Sequence, residues 1–313
     1  GHANFGNTTS VVLPDKTGVL VSGLLPVLNL DRWHHLLKQF NNQPASASAL
    51  REINLKIGAL DFLGRRLNDV KLNADREDDL WYSTIASREI NGGISWNPSG
   101  NGKVVARLNR LIVPTASPGS DPGLPTQGRK RGNDFPALDI TADSFVIGEA
   151  QLGKLELLAG QEGRNWGIEK LQITNPDSSI VIHGIWQNRT ASPRVHADLT
   201  LKATDIGKFL ARLGHEDRVT RGSGTVEGVL SWRGNPESID YSTLSGNFKL
   251  NARRGQFPRF EPGIGRLFGI FNLRSLPRRI ALDFHDVFSE GFGFDDISGD
   301  VKITRGVAFT DDL

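Results

Sequence analysis

The sequence predicts a mainly β protein, and three of its features lead there. Apolar residues recur at every second position through most of the chain, the period of strands with one covered and one wetted face. Turn formers such as Asn91-Gly92-Gly93, Asn175-Pro176-Asp177 and Gly234-Asn235-Pro236 separate these runs. The 35 glycines among 313 residues supply the tight turns that many short strands need.

Taken in order, Ile53, Leu55 and Ile57 alternate with Asn54 and Lys56, and Val70 and Leu72 with Lys71 and Asn73. Leu155 and Leu157, Leu171 and Ile173, Ile180 and Ile182, and Leu199 and Leu201 follow. Phe248 and Leu250, then Val301 and Ile303, complete the series. Each run gives all residues of one parity to one side of a sheet.

Three short amphipathic helices interrupt the strands at the spacing i, i+3, i+4, i+7. The first holds Trp33, Leu36, Leu37 and Phe40, with Asp31 as cap. The second holds Ile206, Phe209, Leu210 and Leu213, started by Thr204 or Asp205 and ended by Gly214. The third holds Ile264, Leu267, Phe268 and Phe271. Each stripe is about two turns long and should lie against a sheet.

An internal repeat is visible as well. Gly64, Leu67, Val70, Leu72, Ala74 and Trp81 match Gly148, Leu152, Leu155, Leu157, Ala159 and Trp166. Gly-apolar-Trp endings recur at Gly93 to Trp96, Gly184 to Trp186 and Gly228 to Trp232. Between the copies, Thr115 to Asp134 is rich in Pro and Gly and reads as a flexible loop, with the basic cluster Arg129-Lys130-Arg131 as a solvated run or a headgroup contact.

Composition closes several routes. Lys+Arg of 37 against Asp+Glu of 35 provides no field that would recruit nucleic acid. The absence of Cys excludes disulfides and thiolate metal sites. No run of ~18 apolar residues spans a bilayer. The opening Gly1-His2 resembles what tag removal leaves behind, and the chain reads as a piece of a longer one.

The search for chemistry ends early. His34-His35 are adjacent, about 100° apart on a helix, where a metal site needs i, i+4 spacing. The glycines from Gly263 to Gly269 miss the dinucleotide spacing by one residue and follow no buried strand. Asp283, Asp286 and Glu290 are the nearest approach to a carboxylate cluster. The expectation is therefore a non-enzyme without cofactor or metal.

From Asp205 onwards the chain resembles the YhdP-type AsmA-like family. The resemblance is carried by Asp205 to Leu210, Gly222 to Thr225, Leu230 to Gly234 and Leu244 to Phe248. The run Leu267 to Arg279 carries it most closely, followed by Leu282 to Phe288 and Gly291 to Asp295. The resemblance implies a long, curved antiparallel sheet, a β-groove with an apolar concave face. It also implies a periplasmic location, an inner-membrane anchor outside this sequence, and transport of phospholipid towards the outer membrane.

On that basis the expected segments are a β-rich 1–114, a flexible 115–134, a second β repeat at 135–200, and an AsmA-like 201–313 truncated at its end. The expected groove lining is Ile53, Leu55, Ile57, Val70, Leu72, Leu155, Leu157, Ile180, Ile182, Phe248 and Leu250. Leu267, Phe268 and Phe271 with Arg274, Arg278 and Arg279 form a basic amphipathic stretch suited to a membrane surface or to plugging the sheet. Partners are phospholipid and the two membranes, with periplasmic or membrane proteins besides. Alternation alone favours a closed sandwich or barrel, and it is the resemblance that puts the open groove ahead of it. The alternative function is a scaffolding module for outer-membrane biogenesis that binds proteins through sheet edges or loops.

Overall fold

The computed structural model describes residues 2–6, 18–30, 50–62, 65–114, 135–236, 239–258 and 292–310. The chain divides into two compact units, Gly1–Gly148 and Glu149–Leu313.

The N-terminal unit contains β1 (His2–Phe5), β2 (Val19–Asn29), β3 (Leu50–Phe62), β4 (Arg65–Glu77), β5 (Leu80–Ala86), β6 (Ile90–Asn97), β7 (Lys103–Val113) and β8 (Ala137–Ile147). The C-terminal unit contains β9 (Ala150–Glu162), β10 (Asn165–Asn175), β11 (Ser178–Gln187) and β12 (Arg194–Ala203). Helix α1 (Ile206–Arg212) follows, then β13 (Thr220–Arg233), β14 (Ser245–Phe257), β15 (Phe292–Thr304) and β16 (Val307–Phe309). In each unit the strands pair in chain order, and among the described residues the ladder does not close on itself.

The mainly β expectation holds, and the antiparallel one holds for most strand pairs but not for three. The pairs β1–β2, β2–β3 and β7–β8 are parallel. A parallel pair needs a crossover, because the chain must return to the same end before starting the next strand. The chain joins these pairs through 6–18, 30–49 and 114–136; the second stretch contains the helix expected from Trp33 to Phe40, and the third the loop expected from Thr115 to Asp134. His2 pairs with Leu20 as the first residue of β1.

Of the three expected helices, the second is present. Asp205 caps it by accepting from the Lys208 N–H at 3.0 Å, and Gly214 ends it at φ +79. The first and third expected helices lie outside the described residues, as do Arg129-Lys130-Arg131 and the stretch with Leu267, Phe268, Phe271, Arg274, Arg278 and Arg279.

The repeat folds into matching hairpins, β4–β5 and β9–β10. Leu67, Val70 and Ala74 are buried in one, and Leu152, Leu155 and Ala159 in the other. In register, Trp81 faces Trp96 and Trp166 faces Trp186. Both hairpins place a left-handed residue between the first two buried positions, Asp69 at φ 55 and Gly153 at φ 105. Such a residue breaks the strict alternation, so positions three apart point the same way and the strand bends. Gly153 also permits close approach, since a Cβ there would lie 2.3 Å from the Thr174 carbonyl oxygen.

Candidate functional site

Cross-strand partners share a face of the sheet, so the register shows which side chains form a continuous surface. In the C-terminal unit one row runs Leu155, Ile173, Ile180, Leu201, Val226, Leu250 and Gly299 from β9 to β15. Beside it runs Leu157, Leu171, Ile182, Leu199, Gly228, Phe248 and Val301. A third runs Ile168, Gly184, Ala197, Leu230, Gly246 and Ile303. The rows cross seven strands, about 29 Å at ~4.8 Å per strand.

The other face is polar. Its central row is Glu156, Gln172, Val181, Thr200, Glu227, Lys249 and Asp300. Lys170 and Lys154 lie 2.7 and 2.9 Å from Glu156 and hold its carboxyl down at about 2. A sheet with this asymmetry has one surface for hydrocarbon and one for water.

Both sides of the apolar face have a border. On one, Trp166, Trp186, Val195 and Trp232 form a fourth row and are all buried. The Trp186 indole N–H donates to the Gly234 carbonyl at 2.8 Å, and that of Trp232 to Asn235 at 3.0 Å. These bonds satisfy the polar end of each ring and fix the β13–β14 loop above it.

On the other side α1 rests on Gly224. A Cβ there would meet the Ile206 side chain at 3.1 Å, so the missing side chain makes room for the helix. Arg212 donates twice to Asp177 in the β10–β11 turn, at 3.0 and 2.6 Å, and the Asp177 carbonyl accepts from the Thr204 N–H at 2.8 Å. An open pocket of about 360 Å³ lies here, lined by Glu149, Gln151, Asp177, Lys208, Ala211 and Arg212.

Between the borders the surface is only half covered. Ile180, Ile182, Leu199, Leu201, Val226, Phe248 and Leu250 are all half-buried. In the N-terminal unit the corresponding face has a more deeply buried centre, with partly buried apolar residues around it. There Leu25, Ile57 and Val70 align in one row, and Gly23, Leu55, Leu72, Ile85, Gly92, Leu108 and Ala142 in the next. Leu55, Ile57, Leu60, Leu67, Val70 and Ile85 form a buried cluster, with Val70 1% and Ile57 2% exposed.

The expected lining thus separates into two groups. Leu155, Leu157, Ile180, Ile182, Phe248 and Leu250 share the half-open face of one unit. Ile53, Leu55, Ile57, Val70 and Leu72 share the apolar face of the other, with Ile53 and Leu72 half-buried at its flank. The expected list omitted Leu171, Ile173, Leu199, Leu201, Val226 and Leu230, which complete the rows. The first four alternate as cleanly as the residues chosen, and following the ladder from strand to strand would have found them.

Among the described residues no His, Asp and Glu are grouped to hold a metal ion, and no helix is long and apolar enough to cross a membrane. Comparison with known proteins adds the following. No solved structure matches the chain. Over 309 residues, 96% of the chain, it is 23% identical to the intermembrane phospholipid transporter YhdP of Escherichia coli strain K12. The chain covers 24% of that protein, about a quarter of its length. The family model described as YhdP protein matches residues 1–313, and the chain therefore belongs to the YhdP protein family.

Proposed function

We propose that this chain is a periplasmic part of an inner-membrane-anchored carrier that passes phospholipid between the two membranes of a diderm envelope. The acyl chains would lie on the apolar rows of the C-terminal unit. The observation that carries this reading is the apolar face whose rows cross the strands from β9 to β15, with half-buried Ile180, Ile182, Leu199, Leu201, Val226, Phe248 and Leu250 at its middle and a border on either side. The name of the Escherichia coli relative supports it, as an intermembrane phospholipid transporter.

Physical chemistry gives the surface its use. Each methylene exposed to water costs about 0.8 kcal/mol, so an unshielded two-chain lipid faces tens of kcal/mol. Aliphatic contacts remove that cost without demanding one geometry, because hydrophobic association is non-directional. Rows with equivalent residues on successive strands offer many similar positions instead of one deep well, and a lipid can shift along them in small steps.

The test is native mass spectrometry of the purified chain, followed by solvent extraction. Phospholipid should accompany the wild-type chain and be lost from a Leu199→Asp variant whose circular dichroism is unchanged. A wild-type chain that stays free of lipid after incubation with phospholipid vesicles would reject the proposal and favour the scaffolding role.

A further inference from the structure

The charged pocket beside α1 stands at the end of the apolar rows. Ser178, Ala203 and Gly224 form the row next to Ile180, Leu201 and Val226. Asp177 precedes Ser178, so its wall of the pocket begins three residues from Ile180, about 10 Å at ~3.3 Å per residue. Gln151, on β9, stands four residues before Leu155. The pocket is therefore at the ends of the strands whose Leu155, Ile173 and Ile180 open the first row.

The helix makes the other wall. Ile206 points to Gly224 on β13. At about 100° per residue, Lys208, Ala211 and Arg212 fall on the opposite side of α1, and that side lines the pocket. The volume of about 360 Å³ is within the range that encloses a small ligand, roughly 300–1,000 Å³.

The charges in the pocket are of both signs. Asp177 is 10% exposed and accepts both Arg212 bonds on one oxygen, so these two largely neutralise each other. That leaves Lys208 and Glu149. The Lys208 ammonium stands 3.8 Å from Asp177 and 3.7 Å from Asp205, beyond hydrogen-bond reach of both, and its side chain is 67% exposed. Glu149 is exposed, and among the described residues its carboxylate has no partner.

This pairing selects by charge. A simple anion drawn to Lys208 meets the repulsion of Glu149, and a simple cation drawn to Glu149 meets that of Lys208. A ligand with one charge of each sign satisfies both. At the opposite border of the rows the Trp186 and Trp232 N–H groups are already donated to Gly234 and Asn235, and neither is left for a headgroup.

We propose that this pocket binds the headgroup of a zwitterionic phospholipid with a primary amine. Lys208, beside Arg212, meets the phosphate, and Glu149 meets the ammonium, while the acyl chains lie on the adjoining rows. The proposal rests on the lipid-carrying reading above and adds to it which class of lipid is preferred and which border its headgroup takes.

The test measures binding of dihexanoyl phosphatidylethanolamine and dihexanoyl phosphatidylglycerol by native mass spectrometry and tryptophan fluorescence. The wild-type chain should prefer the zwitterionic lipid about fivefold. Glu149→Gln should remove that preference, and Lys208→Gln should weaken the binding of both lipids. Both side chains are exposed, so the fold should tolerate either change. A preference that survives Glu149→Gln, or unchanged binding by Lys208→Gln, overturns the proposal. Phosphoethanolamine without acyl chains should compete only far above the lipid concentration. Competition at equal concentration also overturns the proposal, because the site then takes a soluble zwitterion. A wild type that binds both lipids equally leaves the apolar rows standing and removes the headgroup pocket. One that binds neither lipid removes both readings.

Discussion

The two units are built from the same hairpin and differ in how they treat its apolar face. In the N-terminal unit the face is buried at Leu55, Ile57, Leu60, Leu67, Val70 and Ile85. In the C-terminal unit the same positions of the repeat lead into rows that stay half-covered through Ile180, Leu201, Val226 and Leu250. The pattern of alternation does not decide between core and conduit, because both need one apolar parity. What decides is how fully each side chain is covered.

The largest test of this contrast is a pair of equivalent truncations. Ile57→Ala should cost about 3 kcal/mol in urea unfolding, since it opens a cavity in a buried cluster. Leu199→Ala should cost less, about 1 kcal/mol, since that side chain is only partly covered. Equal costs would mean that the C-terminal face is an ordinary core, and the comparison would fail.

The border helix provides the next test. Asp177 is largely buried beneath Arg212, so Asp177→Asn leaves a guanidinium half-buried without its counter-charge. A loss of about 1–2 kcal/mol is expected. It should appear as faster hydrogen exchange in α1 than in the adjoining β12. Uniform change across the unit would show that α1 is part of the core and not a border resting on it.

The smallest effect concerns pH on the polar face. Glu156 is held near 2 in the fold, against an ordinary 4.5, by Lys170 first and Lys154 second. A depressed carboxyl stabilises the fold above its unfolded value, and that contribution disappears as pH falls through the folded value. The window is therefore pH 4.5 down to 2. All three groups are well exposed, so solvent screening limits the contribution to less than about 1 kcal/mol. Glu156→Gln should flatten the acid limb of a stability profile slightly, and an unchanged limb would show that the pair adds nothing.

Much of this architecture was legible in the sequence. The strands, the Asp205 cap, the Gly214 stop and the repeat follow from local chemistry, and every lining residue expected within the described strands faces an apolar side. The parallel pairs were not legible, because direction depends on where a crossover lands and not on the residues that pair. Nor were the bends at Asp69, Arg221 and Arg254, which take positive φ without being glycine. The tie between Asp177 and Arg212 joins residues 35 apart, and only the assembled turn brings them together.

The chain-order pairing described for both units has a kinetic meaning. Each new strand finds its partner already in place as the last one made, so the sheet can grow in the direction of synthesis. Contacts are short in sequence, which favours fast formation and makes each interface answer chiefly to its neighbours. The exceptions are β2, β3 and β8, whose parallel pairing waits until 6–18, 30–49 and 114–136 have been made. Each of those three moments leaves a strand edge unpaired for longer, and there a holding chaperone would find its opening.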